Sequence, residues 1–135
     1  NNKVTGSYGT ATAREHADTL WTQTDSDNGD LPDEKSVGDL RAKGLKTVLI
    51  ETLKKQAAQI LQETDWYIIR KADAGTAVPS SITTHRAAVR TKAAEMETAI
   101  TNAADTAALE TLYTYTEQED GSVTRPIGEL PTLED

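Results

Sequence analysis

The sequence predicts a mainly α-helical protein: an antiparallel helical hairpin or small bundle, with an extended N-terminal arm and a C-terminal hairpin or tail. Two segments carry apolar side chains at helical spacing, every fourth residue from Leu45 to Leu61 and every seventh from Ile82 to Met96. Between them, Pro79 holds the preceding residue extended and so predicts a loop. Two amphipathic helices joined by a short connection pack antiparallel, because each must bury its apolar stripe.

The helical body is predicted to span residues 36–113, between an arm of residues 1–35 and a tail of residues 114–135. Ser36 and Asp39 have the spacing of a capping box, which predicts that the first long helix begins there and continues to about residue 62. The further predicted elements are a short helix over about 66–74 that ends at Gly75, a long helix over about 80–103, and a short helix capped by Asp105.

The N-terminal segment is rich in Thr, Gly, Asn and Asp and shows no apolar period. This composition is typical of an extended arm that orders on a neighbouring molecule, and Tyr8 and Trp21 are its candidate contact residues. The run from Asp25 to Asp30 resembles a calcium loop, but Gly29 stands where a ligand is required. An Asn-Gly turn without a bound metal is therefore predicted.

The C-terminal segment is predicted to form a short hairpin around Asp120-Gly121, followed by an extended acidic tail. Tyr115 and Ile127 are large side chains for which a solvated tail has little use, so they predict a second docking arm. The alternative is that both ends are disordered or fold back on the helices of their own chain.

Composition narrows the class of protein. The chain has 135 residues, no cysteine and a net charge of −8, with 36% hydrophobic and 4% aromatic residues. An acidic chain is poorly suited to nucleic acid or to an anionic membrane surface, and so few large apolar residues predict a thin core. We therefore expect protein partners, with neither nucleic acid nor a membrane among the contacts.

Catalytic and metal-binding patterns are lacking in the sequence. The histidines, His16 and His85, have no companion at ligand or triad spacing. There is no Gly-rich phosphate loop and no nucleophile elbow. We therefore predict that the protein is not an enzyme and carries no cofactor and no metal.

Charged and aromatic residues around the loop between the long helices are the candidate interaction residues. Arg86 and Arg90 lie one turn apart on the second long helix, and an Arg fork can hold a carboxylate in one geometry. The predicted acceptor is Asp65 or Asp73, which lie on the facing segment. Nearby, Trp66 with its neighbour Tyr67 is predicted to be core, largely buried at the closed end of the hairpin; a ligand platform is the alternative.

The segment Leu61-Gln62-Glu63-Thr64-Asp65-Trp66 resembles a Leu-x-x-Thr-Asp-Trp motif of small tailed-phage proteins, which include tail-fibre assembly proteins and related tail structural proteins. In that group the motif is followed by a proline loop and a helix with arginines, which appear here as Pro79, Arg86 and Arg90. The resemblance covers about residues 45–113. The chain departs from the group at its end, where Arg125-Pro126 stands instead of the Trp-Pro of many relatives.

The resemblance implies a non-catalytic bacteriophage protein that acts through protein–protein contacts. Two roles follow from it: a virion structural protein of the tail, baseplate or fibre-attachment region, or an assembly chaperone absent from the finished particle. The implied partners are other phage structural proteins and further copies of the chain itself. The implied location is the tail region of the virion, with the host cytoplasm during assembly.

Overall fold

The computed structural model describes residues 15–133 and is mainly helical, which confirms the predicted fold class. Its strands form two separate antiparallel pairs, the first strand with the second and the third with the fourth. In chain order the elements are β1 (Thr19–Leu20), α1 (Gln23–Asp27), β2 (Leu40–Ala42), α2 (Leu45–Gln62), α3 (Asp65–Ala74), α4 (Ser80–Asn102), α5 (Thr106–Tyr113), β3 (Thr116–Glu117) and β4 (Val123–Thr124).

The helices α2 and α4 form the predicted antiparallel hairpin, and their apolar stripes face each other. Leu53 and Ala57 are buried on α2, and Val89 and Ile100 on α4 have no exposed surface. The helix α5 closes one end of this interface; Asp105 caps it by accepting a hydrogen bond from the Ala108 backbone N–H at 2.8 Å. The core joins these helices to the C-terminal segment through Leu53, Met96, Ile100, Ala103, Leu109 and Ile127.

The first long helix begins later than the capping-box spacing predicts. Ser36 donates its backbone N–H to Asp39 Oδ2 at 2.8 Å, but the segment between them is a turn outside any helix. The helix α2 instead begins at Leu45 with Gly44 as its N-cap. A serine and an aspartate three residues apart close a turn as readily as they cap a helix, so the local signal alone does not place the helix start.

Residues 15–35, predicted as an extended arm, are folded against the rest of the chain. The strand β1 pairs with β2, and the two strands place Leu20 opposite Leu40. The helix α1 has a capping box in which Thr22 N–H donates to Asp25 Oδ2 at 2.8 Å, and hydrogen bonds to Thr22 are the main cause of the lowered pKa of Asp25. We call residues 15–42 the acidic lobe. Tyr8, the other aromatic residue assigned to the arm, lies outside the described residues.

The acidic lobe is held to the start of α2 by a cluster of hydrogen bonds. The carboxylate of Asp18 accepts from Thr47 Oγ1 at 2.6 Å and from the Gly44 backbone N–H at 2.7 Å. These two bonds, with that to Thr47 the larger cause, lower the pKa of Asp18. The carbonyl of Glu15 accepts from the Leu45 N–H at 3.0 Å. Orphan donors of the first helical turn are thus satisfied by the lobe.

We predict that Gly44→Ala weakens this junction, because a Cβ at position 44 would overlap the backbone of Ala17. Backbone cannot move aside like the end of a flexible side chain, so we expect a loss of roughly 1–3 kcal/mol in the free energy of unfolding. Urea denaturation measures the loss, with Lys55→Ala as a control at an exposed position of α2 away from the junction. A Gly44→Ala protein as stable as the wild type would show that the lobe is not packed against α2 in this way.

The C-terminal segment forms the predicted short hairpin and then returns to the core. The strands β3 and β4 pair around a turn at Gly121, whose φ of +82° suits glycine. The backbone N–H of Ile127 donates to the Leu112 carbonyl at 3.1 Å, and the Ile127 side chain is 3% exposed. The prediction that Ile127 belongs to a free docking arm is therefore wrong, because the side chain completes the core of its own chain.

Candidate interaction site

The predicted ion pair across the hairpin is present between Arg86 of α4 and Asp65 of α3, with 2.9 Å between Arg86 Nη1 and Asp65 Oδ1. Arg86 lies on the buried stripe of α4, four residues after Ile82 and three before Val89, so its side chain points at the turn between α2 and α3. Within the range 15–133, neither Asp73 nor Arg90 makes an ion pair. The prediction is thus confirmed for one of the proposed pairs.

The same Arg86 nitrogen has two further acceptors, both close to the end of α2. It donates to the Leu61 carbonyl at 2.7 Å and to Thr64 Oγ1 at 2.8 Å. The Leu61 carbonyl belongs to the last helical turn, where it also accepts from the Thr64 backbone N–H at 3.2 Å and from Thr64 Oγ1 at 3.1 Å. Arg86 therefore ties the end of α2 to the start of α3, and we call Leu61, Thr64, Asp65 and Arg86 the Arg86 network.

The contribution of each bond of the Arg86 network to stability depends on how far its atoms are buried. The Arg86 side chain is 10% exposed and Thr64 is 1% exposed, whereas the Asp65 side chain is 50% exposed. A half-exposed carboxylate retains much of its hydration, so its ion pair contributes modestly. The bonds from Arg86 to Leu61 and Thr64 are shielded from water. Without them the two oxygens would keep the bond from Thr64 Oγ1 to the Leu61 carbonyl but would lose a charged donor that water cannot easily replace. The role of Thr64 as a buried acceptor was not predicted from the sequence.

Trp66 is 50% exposed, so the prediction of a largely buried Trp66 is wrong. The place at the closed end where a large apolar side chain was expected is filled by Thr64 and Arg86, both buried. Trp66 instead stacks on Tyr67, with 3.8 Å between ring centroids and 29° between ring planes. Position 66 lies next to Asp65 on the helix, and the contact of Asp65 with Arg86 turns Trp66 away from α4.

The helix α3 presents large apolar side chains without burying any residue. Besides Trp66, Ile68 is 44% exposed and Ile69 is 67% exposed. The Arg70 guanidinium lies over two rings, with its Cζ 4.9 Å from the Trp66 centroid and 5.4 Å from that of Tyr67. Tryptophan, tyrosine and arginine are the residues that most often dominate binding at protein interfaces. We call Trp66, Tyr67, Ile68, Ile69 and Arg70, with Lys71, the α3 surface.

The other predicted contact residues do not join the α3 surface. Trp21 lies half-buried in the acidic lobe, with the Arg41 guanidinium 4.6 Å from its ring centroid. Tyr115 is 53% exposed and donates its hydroxyl to Glu129, and this bond is the main cause of its raised pKa. Arg90 is exposed on α4. The predicted interaction residues therefore lie in different parts of the structure. The structure brings Asp65 and Arg86 together beside Trp66 and Tyr67.

A buried histidine was not predicted. His85 is 8% exposed, and its Nε2 has no hydrogen-bond partner among the described residues. It neighbours Arg86 on α4, where the sequence offered no companion residue that would signal a role. Across residues 15–133, no group of three or more His, Cys, Asp or Glu side chains is placed to hold a metal ion.

Comparisons with protein-family models, with curated proteins and with solved structures found no match. In the part of the chain that the structure describes, no helix combines the length and apolar character needed to cross a bilayer.

Proposed function

We propose that this protein is a non-enzymatic structural protein of a tailed-phage virion, in the tail, baseplate or fibre-attachment region, where it acts through contacts with other phage structural proteins. The observation that carries the proposal is the arrangement of the Leu-x-x-Thr-Asp-Trp motif. Its Leu61, Thr64 and Asp65 are bound by Arg86, whereas its Trp66 is left half exposed. One part of the motif fixes the turn, and the other part offers an aromatic side chain to a partner.

The physical reason for this arrangement is preorganisation. Binding through a mobile segment costs conformational entropy, whereas a helix already fixed by three hydrogen bonds loses little freedom when a partner docks. An exposed tryptophan that is held by Tyr67 and Arg70 is suited to such a contact. This supports a function in binding, and the resemblance of the motif to tail proteins supports the phage setting.

The alternative is a tail-fibre assembly chaperone that is absent from the finished particle. The same exposed α3 surface suits it, because a chaperone also binds through apolar side chains. We favour the structural role because α2, α4, α5 and the C-terminal segment share one core, and such a folded body suits a permanent part of the particle.

Mass spectrometry of purified particles tests the proposal. A virion structural protein is expected in a constant ratio to the other tail proteins, through successive density gradients. Absence from particles, together with presence in cells that are assembling them, would indicate the chaperone. Absence from both, or no binding to any tail protein, would contradict the phage role. A tail protein of the same particles provides the positive control.

A further inference from the structure

We infer that the protein associates with further copies of itself head to tail, with the α3 surface of one copy docked on the acidic lobe of the next. The inference deepens the proposed function and rests on it only for the claim that copies meet in a particle. It assigns both surfaces of the contact, and its basis is the uneven distribution of charge and exposed apolar side chains between the two ends of the helical hairpin.

Charge is divided sharply along the chain. Residues 64–94, which contain α3 and most of α4, carry five basic and two acidic residues, a net charge of +3. Because the whole chain carries −8, the remaining residues carry −11. The acidic lobe alone has eight acidic and two basic residues, a net charge of −6 with histidine neutral. The two regions are therefore of opposite charge, which favours contact between them and disfavours contact between like regions.

The α3 surface has basic groups that have no carboxylate partner among the described residues. Within residues 15–133, neither Arg70 nor Lys71 makes an ion pair. The Nε of Arg70 is buried and has no hydrogen-bond partner in that range. Beside these cations stand the exposed side chains of Trp66 and Ile69. This combination fits a surface that brings both carboxylates and apolar side chains.

The acidic lobe offers such a surface. Leu20 and Leu40 are cross-strand partners of β1 and β2, and they are 50% and 41% exposed. Directly opposite residues of an antiparallel pair lie on the same face, so the two leucines form one apolar patch. Carboxylates surround it in the sequence, and Asp30, Asp33 and Glu34 have no side-chain hydrogen bond or ion pair within the described part of the chain. The lobe thus carries the charge that the α3 surface lacks.

The two surfaces lie at opposite ends of α2. The acidic lobe is bonded to the first turn of α2 at Leu45, whereas α3 follows its last turn. An 18-residue helix is roughly 27 Å long. The α3 surface and the acidic lobe of one molecule are therefore separated by about the length of α2 and can meet only between molecules. A contact between two different surfaces is heterologous, and its repetition builds a ring or a filament.

Sedimentation velocity of the full chain over a concentration series tests the inference. We expect mass that grows with concentration and decreases at high salt, since salt screens attraction between exposed charges. Ile69→Asp places a negative charge within the α3 surface, and Leu20→Lys places a positive charge within the lobe patch. Each change is expected to weaken association by about tenfold or more, because it places a charge among apolar side chains and opposite like charges of the other surface. Circular dichroism checks that both variants keep the helical content of the wild type.

Val123→Asp is the matched control, because Val123 is 59% exposed on the β3–β4 hairpin, outside both surfaces. This variant is expected to associate like the wild type. A wild type that stays monomeric up to several hundred micromolar, or a Leu20→Lys variant that associates like the wild type, would overturn the inference. Equal loss of association in all three variants would do so as well, because it would show that association does not depend on the two assigned surfaces.

A mixture of the two variants separates head-to-tail association from a contact between like surfaces. The Ile69→Asp variant keeps an intact lobe, and the Leu20→Lys variant keeps an intact α3 surface. When mixed, they are expected to form a 1:1 dimer that does not grow, because its outer surfaces are the altered ones. No dimer in the mixture would refute the inference. Particles that lack the protein would refute the proposed function while leaving this contact standing.

Discussion

Replacing Arg86 by methionine is expected to lower the free energy of unfolding by about 3 kcal/mol. Methionine keeps most of the buried volume of the side chain but offers no donor to the Leu61 carbonyl, to Thr64 or to Asp65. The first two acceptors keep the bond from Thr64 Oγ1 to the Leu61 carbonyl, but they are shielded by the turn, and water cannot easily replace the lost charged donor. The loss is therefore mainly one of buried hydrogen bonds, and chemical denaturation followed by circular dichroism measures it.

Asp65→Asn is the informative comparison for Arg86→Met. The Asp65 side chain is 50% exposed, so removing its charge should cost only about 1 kcal/mol. Thr64→Val, which keeps the shape of a residue that is 1% exposed, is expected to fall between the two at roughly 1–2 kcal/mol. Equal costs for Asp65→Asn and Arg86→Met would show that the ion pair dominates, against the three-acceptor arrangement. In a double-mutant cycle, strict additivity of Arg86→Met and Asp65→Asn would argue that the two groups do not interact.

The helical spacing of apolar residues predicted the hairpin, because each long helix buries a whole stripe of side chains against the other. The residues of α4 at helical spacing, Ile82, Val89, Met96 and Ile100, are all buried. The Asp65–Arg86 pair followed from the same reasoning, since the two residues flank one loop on facing segments. Features that depend on the repeated pattern of a long helix could therefore be predicted from the sequence.

Features that depend on a single tertiary contact could not be predicted from the sequence. The start of α2 at Leu45 depends on the close approach of Ala17 to Gly44, which no local pattern reveals. The exposure of Trp66 depends on Thr64 and Arg86 taking the buried place at the closed end. The prediction gave that place to Trp66 because tryptophan is the more hydrophobic residue. A buried arginine requires hydrogen-bond acceptors, and these are brought together only when the turn is formed.

Replacing Ile127 by alanine is expected to cost roughly 2–5 kcal/mol, the range for truncating a buried isoleucine. The side chain is 3% exposed and packs in one cluster with Leu53, Met96 and Ile100 of the two long helices. Truncation leaves a cavity between elements that lie far apart in the sequence, and the surrounding helices can fill it only in part. Thermal and urea denaturation measure the effect, with Leu133→Ala as the control because Leu133 is 40% exposed in the same segment.

The outcome at Ile127 also decides how the ends of the chain contribute to function. A large loss of stability for Ile127→Ala, beside a change within about 0.5 kcal/mol for Leu133→Ala, would mean that residues 126–130 serve the core of their own chain. Deleting residues 114–135 would then unfold the body, and a failure to bind would reveal nothing about docking. Point changes at Ile69 and Leu20 avoid this difficulty, because both side chains are at least half exposed. If Ile127→Ala instead matched Leu133→Ala, the packing of Ile127 in the core of its own chain would be contradicted.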